Sequence, residues 1–143
     1  MKTTFRHVGI VVNDVDVCLK FWLENFELEI QLDNLEITPF VDELLGLETT
    51  GLRTVKLSDQ GGFILELLHF TNKNVHKEWG GDLATTGLTH IALNVLDLEK
   101  KVDLLVKKGY KTLSSIKKSP DNKVKVVFVK GPENIMLELV QVI

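Results

Sequence analysis

Two histidines and two glutamates occur at corresponding places in the two halves of this sequence. His7 and His90 each stand in the first strand-like segment of a half, and Glu66 and Glu138 each stand in the last one. An ionised carboxylate among apolar side chains is costly unless it is paired or bound to a metal. Two imidazoles and two carboxylates suit a five-coordinate or octahedral first-row divalent ion. The four residues therefore predict a divalent-metal site that leaves room for water or substrate.

The symmetry of these residues supports the metal site, since the sequence contains no short ligand motif such as CxxC. Imidazole and carboxylate ligands do not choose among zinc, nickel, cobalt, manganese and iron(II). The alternative interpretation is that the two histidines are strand residues whose hydrogen bonds are satisfied without a metal, and that the two glutamates lie at strand edges.

The rest of the chain repeats in the same order as these four residues. The first strand and the residues after it match at an offset of 83, which carries Asp14 onto Asp97. Apolar residues with the spacing of an amphipathic helix follow each aspartate, where a carboxylate can cap free N–H groups. The last two strands match at an offset of 72, which carries Glu66 onto Glu138. Chance does not readily produce this combination of matches, so the sequence predicts an internal duplication.

Each half is predicted to form, in order, a strand, a helix and three further strands. The middle strand is expected near residues 28–32 in the first half and near residues 110–116 in the second, with a turn near residues 119–122. The first half holds about eleven more residues than the second, the difference between the two offsets. Residues 39–46, which end in glycine, have the pattern of one short helix in this extra stretch.

The predicted fold class is α+β, with two tandem βαβββ modules. Module 1 spans about residues 4–70, module 2 about residues 87–143, and residues 71–86 form the linker. A module near 70 residues is too small to be stable alone, so residues 1–143 are expected to form one domain.

These motifs resemble the vicinal oxygen chelate superfamily, which includes glyoxalase I, methylmalonyl-CoA epimerase, fosfomycin-resistance proteins, bleomycin-binding proteins and extradiol dioxygenases. The resemblance covers nearly the whole chain and rests on residues 7–14, 64–67, 89–95 and 136–139. It implies that the paired modules curl into a half-open barrel around a metal. The ligand positions of the superfamily fall on His7, Glu66, His90 and Glu138.

The His-Glu-His-Glu pattern is most similar to glyoxalase I, which implies a lyase or isomerase acting next to a carbonyl through an enolate or enediolate. The resemblance makes Glu138 the first choice for the catalytic base and Glu66 the second. An epimerase of the methylmalonyl-CoA or sugar-ketone type is the alternative. The extra residues 35–50 and the long linker favour it, but the epimerase typically has glutamine where this chain has Glu66. A non-catalytic protein that binds a small molecule such as an antibiotic is a second alternative.

Three further residues are candidates for substrate binding. Arg53 lies in a strand and could hold a carboxylate or phosphate, although an outward-facing edge arginine is an equal interpretation. Phe40 and Leu44 in the extra segment could form a lid or a pocket wall, or instead pack onto the core.

Composition limits the partners, the cysteine chemistry and the location that are expected for the protein. The chain has 143 residues with a formal net charge of −3, which gives no general attraction to nucleic acid or anionic membrane. Its single cysteine excludes an internal disulfide and a cysteine-rich zinc site. No membrane span or signal peptide is evident, so a cytoplasmic location is expected. The expected partners are a small carbonyl substrate and, from the resemblance, a second copy in a homodimer.

Overall fold

The structure, a computed structural model, describes residues 3–36, 39–48, 51–71, 80 and 82–143. The chain divides into two compact units, Met1–Glu78 and Trp79–Ile143. Most of the linker expected at residues 71–86 lies outside the described residues.

The described residues of the first unit form four strands and two helices. Its sheet has the order β1-β4-β3-β2, in which β1 runs parallel to β4 and the other neighbours are antiparallel. The elements are β1 (Val8–Val11), α1 (Val15–Phe26), β2 (Glu29–Glu36), α2 (Pro39–Leu45), β3 (Leu52–Ser58) and β4 (Ile64–Phe70).

The second unit repeats this arrangement. Its sheet has the order β5-β9-β8-β6, with β5 parallel to β9, and β7 also pairs with β8. The elements are β5 (Ile91–Asn94), α3 (Leu98–Lys107), β6 (Lys111–Thr112), β7 (Lys117–Lys118), β8 (Val124–Lys130) and β9 (Met136–Val142). The α+β class is confirmed, with the first strand of each unit paired to the last.

The two major helices begin where the capping pattern predicts. The Asp14 carboxylate accepts a hydrogen bond of 3.0 Å from the backbone N–H of Val17, and the Asp97 carboxylate accepts one of 2.9 Å from Lys100. Each carboxylate satisfies an N–H group that the helix itself leaves without a partner. These caps fix where each chain segment turns from the first strand into its helix.

One face of each sheet packs against its helix, which we call the helix face. In the first unit, Val55, Leu57, Leu65 and Leu67 are buried there, as are Cys18, Phe21 and Trp22 of α1. Burying a side chain of this size stabilises the fold by about 1.5–3 kcal/mol. Because successive strand residues point to opposite faces, Glu66 and Glu138 lie on the other face, which we call the open face.

Two details differ from the sequence-based expectation. The middle strand of the second unit is split into β6 and β7, although Leu113 between them still donates a backbone hydrogen bond of 3.0 Å to Phe128. The middle strand of the first unit is longer than predicted and reaches Glu36. The short helix α2 forms as expected, and Gly46 after it has a φ of +64°, which favours glycine. Among the described residues, no helix is long and apolar enough to cross a membrane.

Candidate metal centre

The first histidine–glutamate pair lies where β1 meets β4. Glu66 is paired in register with Gly9 of β1, and His7 immediately precedes that strand on the same face. The Nε2 atom of His7 is 3.2 Å from Oε2 of Glu66. A Cβ atom on Gly9 would lie 3.5 Å from the same oxygen, so glycine leaves space beside the carboxylate.

The second unit builds the same pair from corresponding elements. Glu138 of β9 is paired in register with Ala92 of β5, and His90 immediately precedes β5. The Nε2 atom of His90 is 3.3 Å from Oε2 of Glu138. The parallel pairing of first and last strands therefore brings a histidine and a glutamate together in each unit.

The donor atoms of each pair fit a divalent first-row ion. Metal–nitrogen and metal–oxygen bonds are about 2.1 Å long, so two ligands at roughly a right angle lie about 3 Å apart. The observed separations of 3.2 and 3.3 Å are close to that value. An imidazole nitrogen and a carboxylate oxygen are also the donor types that such ions take.

Each unit brings together two of the four predicted ligands. Within the described ranges, no group of three or more histidine, cysteine, aspartate or glutamate side chains is arranged to hold a metal ion. The structure brings His7 to Glu66 and His90 to Glu138, and the set of four stays a prediction.

The two carboxylates have different neighbours. In the first unit, Nζ of Lys56 is 3.3 Å from Oε1 of Glu66, and the two residues are paired across β3 and β4. In the second unit, the residue paired with Glu138 is Phe128, whose ring contacts the His90 ring edge-on at 5.2 Å. The Glu66 side chain is also less exposed, at 11% against 27% for Glu138. Glu66 is thus buried and beside a cation, and Glu138 is more accessible.

A hydroxyl group orients the second histidine. Nδ1 of His90 is 3.0 Å from Oγ1 of Thr89, a hydrogen bond whose direction depends on the tautomer. When Nδ1 carries the proton, it donates to Thr89 and Nε2 keeps the lone pair that metal binding needs. The residue before His7 is Arg6, so the first pair has no equivalent hydroxyl at this position.

The sequence matches the family model of the glyoxalase/bleomycin resistance protein/dioxygenase superfamily over residues 4–139. The chain belongs to this superfamily. The match covers both units and confirms the resemblance to vicinal oxygen chelate proteins that the motifs indicate. No curated protein sequence matches this superfamily member.

Solved structures of the same fold include proteins of different activity. A glyoxalase family protein from Bacillus cereus is 18% identical with a TM-score of 0.90, over 100% of this chain and 96% of that one. Glyoxalase I from Zea mays is 20% identical with a TM-score of 0.69, over 94% of this chain and 43% of that one. A fosfomycin resistance protein from Listeria monocytogenes is 12% identical with a TM-score of 0.63, over 99% and 94%. At these identities the likeness shows the fold of this superfamily member and does not identify the reaction that it catalyses.

Arg53 lies on the helix face, away from the side of the sheet that carries Glu66. Its Nε and Nη2 atoms donate hydrogen bonds of 2.9 Å to the two oxygens of Asp33, and Nη1 donates one of 2.8 Å to Asp16 of α1. These bonds raise the pKa of Arg53 and lower the pKa of Asp33. The guanidinium ties α1 to β2 and β3, and its expected role in substrate binding stays a prediction.

We expect the Arg53→Met substitution to lower the free energy of unfolding by about 1–2 kcal/mol at neutral pH, because it removes a two-point ion pair. Since the folded state depresses the pKa of Asp33, the stabilisation is present above the unfolded pKa near 3.8 and is lost as pH falls through the lower folded value. Urea unfolding at pH 7 and pH 3 measures both effects. Lys20→Met, which removes an exposed contact of 3.8 Å to Glu24, is the control. An equal stability of the Arg53→Met and wild-type proteins at pH 7 would contradict this account.

The helix α2 rests on the open face of the first unit. Val41 is buried with Leu52 and Phe70, and Leu68 packs against the same cluster. Because Leu68 and Phe70 share the face of Glu66, α2 covers part of the surface next to the first pair. Phe40 and Leu44 on α2 are 63% and 68% exposed, so neither packs into the core. Their role in substrate binding stays a prediction.

The neighbours of the proposed ligands, chiefly Lys56, were not predicted from the sequence. A signal for it was present, because a hairpin turning at residues 59–63 places Lys56 opposite Glu66. Alignment of the two modules also sets Lys56 over Phe128, which marks it as a difference between halves. Thr89 and Gly9 adjoin the ligands in sequence and register, but nothing in their types alone points to a role.

Proposed function

We propose that this protein is a divalent-metal-dependent enzyme that removes a proton from a carbon next to a carbonyl, as a glyoxalase I-like lyase or isomerase. The observation that carries the proposal is the repeated pair: each unit places a histidine nitrogen within about 3.3 Å of a glutamate oxygen at the same position in its fold. If the histidines were ordinary strand residues with hydrogen-bond partners, there would be no reason for the same histidine–glutamate pair to occur twice.

The proposed ligands are His7, Glu66, His90 and Glu138, contributed by two modules that belong to one chain or to two copies in a homodimer. Superfamily membership and the donor chemistry of both pairs support this set. When bound, a divalent ion acts as a Lewis acid on the carbonyl oxygen of the substrate. The native metal is one of zinc, nickel, cobalt, manganese or iron.

We assign the proton transfer to Glu138 first and to Glu66 second. Glu138 has the more exposed carboxylate, and the residue paired with it across the sheet is aromatic. Glu66 forms an ion pair with Lys56 at 3.3 Å, and this contact occupies one of its two carboxylate oxygens. A carboxylate that takes a proton from one carbon and returns it to the neighbouring carbon produces isomerisation.

An epimerase of the methylmalonyl-CoA or sugar-ketone type is the second candidate. The helix α2 favours it, because this insertion covers part of the open face beside Glu66 and so gives the first unit an additional wall. A wall at this place suits a substrate with a bulky group attached to the reacting carbonyl compound.

A substrate panel in deuterated water distinguishes the two reactions. Protein loaded with each candidate metal is incubated with the hemithioacetal of methylglyoxal and glutathione, with an acyl-CoA that bears a 2-methyl group and with a cyclic ketose. Conversion of the hemithioacetal supports the lyase, and deuterium exchange into either of the others supports the epimerase. Tight binding of an antibiotic by metal-free protein, with no exchange in any substrate, would instead identify a non-catalytic binding protein.

A further inference from the structure

Metal binding by the proposed ligands gives no reason for a lysine at position 56. The side chain of Lys56 lies on the open face, and its ammonium is 3.3 Å from Oε1 of Glu66. The other oxygen of the same carboxylate is the one that contacts His7. The ammonium is therefore adjacent to the proposed ligand position. It is also 26% exposed, which leaves it accessible to a bound molecule.

The fold itself does not require a lysine here. The second unit builds the same pair of strands with Phe128 at the corresponding position, opposite Glu138. A glutamate in this register is thus accommodated without a cation beside it. The lysine is a specific property of the first unit.

Lys56 is also the cation best placed to meet a substrate on this face. Arg53, three residues earlier in β3, points to the helix face and binds Asp33 and Asp16. Among the described strand residues of the first unit, no other lysine or arginine shares the open face with Glu66.

We propose that Lys56 binds a carboxylate of the substrate, so that the site selects carbonyl compounds that carry a carboxylate near the reacting carbon. This inference rests on the proposed function for the place of the reacting group. Lys56 already contacts one carboxylate, that of Glu66, and an ammonium has three N–H donors, so it can hold a second one.

The chemistry favours a carboxylate over a phosphate. A carboxylate carries one negative charge and needs few donors, and Lys56 has N–H groups besides the one that contacts Glu66. A phosphate dianion is typically met by several donors, such as an arginine fork or a helix N-terminus. Lys56 therefore acts as a specificity-determining residue for a singly charged group.

Oxamate and oxamide test the inference, since they have nearly the same shape and differ by one negative charge. Their affinities are measured by calorimetry for nickel-loaded and for metal-free protein, with metal content determined on the same samples. The variants are Lys56→Met, which removes the charge, and Lys56→Arg, which keeps it. Lys20→Met, on the exposed surface of α1, is the control.

We expect wild-type protein to prefer oxamate, and Lys56→Met to weaken oxamate binding roughly tenfold to hundredfold, the usual size of a charge-assisted contact. Oxamide binding should stay unchanged. Lys56→Arg should restore most of the preference, and Lys20→Met should behave as wild type.

An oxamate-to-oxamide ratio that is the same in wild type and Lys56→Met overturns the inference, as does the lack of any preference for oxamate in both forms of the wild-type protein. Metal content separates this result from the proposed function. A chain that takes up no metal contradicts the proposed enzyme, whereas the ratio in metal-free protein still decides the role of Lys56.

Discussion

Replacing Glu138 with glutamine is expected to slow proton abstraction by about 10²–10⁴-fold, the range that general base catalysis usually contributes. The substitution keeps the size and shape of the side chain but removes the basic oxygen. Glu138 is the more accessible of the two paired carboxylates, and the residue paired with it across its sheet is Phe128, whereas Glu66 is paired with Lys56. The measurement is the rate of deuterium incorporation from solvent into the active substrate, with the variant loaded with metal.

Two further variants make this result specific. Glu66→Gln should weaken metal binding and reduce the rate less than Glu138→Gln does, once both are saturated with metal. Glu29→Gln, in the exposed strand β2, should have no effect. Full turnover by metal-loaded Glu138→Gln would show that Glu138 is not the base.

Removing either histidine is expected to weaken metal binding by at least about 100-fold, because loss of a direct ligand costs more than the 10–100-fold typical of losing a residue that hydrogen-bonds to a ligand. His7→Ala and His90→Ala should have effects of similar size, since the two pairs have the same atoms and nearly the same spacing. Competition with a chromophoric chelator measures the affinity of each variant.

His69→Ala is the matched control for these two variants. His69 lies on the helix face of the first unit, where its Nδ1 is 3.2 Å from the backbone oxygen of Val12. Its replacement should leave the metal affinity unchanged. If His7→Ala weakened binding and His90→Ala did not, the two modules would not contribute to the same ion, and the four-ligand proposal would fail.

Local patterns in the sequence predicted most of the fold. Asp14 and Asp97 precede amphipathic stretches, and a cap followed by a helical period is a short-range signal that the structure confirms. The glutamates could be recognised because a charged residue interrupts an apolar strand at the same place twice. A duplicated sequence supplies its own comparison, which replaces some of the information an alignment would give.

Contacts that depend on strand register or on residues far apart in the sequence were harder to predict. The role expected for Arg53 as a substrate ligand came from its residue type, whereas its contacts are with Asp33 and Asp16, far away in the sequence. Nothing in the spacing of these three residues reveals that Asp16 of α1 comes within hydrogen-bond distance of Arg53 in β3. The placement of α2 on the open face through Val41 likewise depends on packing, because the short helix could have covered either side of the sheet.

The split of the middle strand in the second unit has a similar cause. Residues 113–116 carry two serines, and the hydrogen bond from Leu113 to Phe128 keeps the segment beside β8 while the regular ladder is interrupted. Sequence periodicity indicates that a segment joins a sheet. It gives less information about where along the segment the hydrogen-bond pairing is regular.

The metal content of the purified protein tests the proposed four-ligand site most directly. It is measured by elemental analysis and native mass spectrometry before and after dialysis against each candidate ion. We expect one divalent ion per chain, whether the two modules that share it belong to one chain or to two, and loss of that ion in His7→Ala and His90→Ala. A protein that holds no stoichiometric metal as purified and takes up none on dialysis would rule out the proposed metal site.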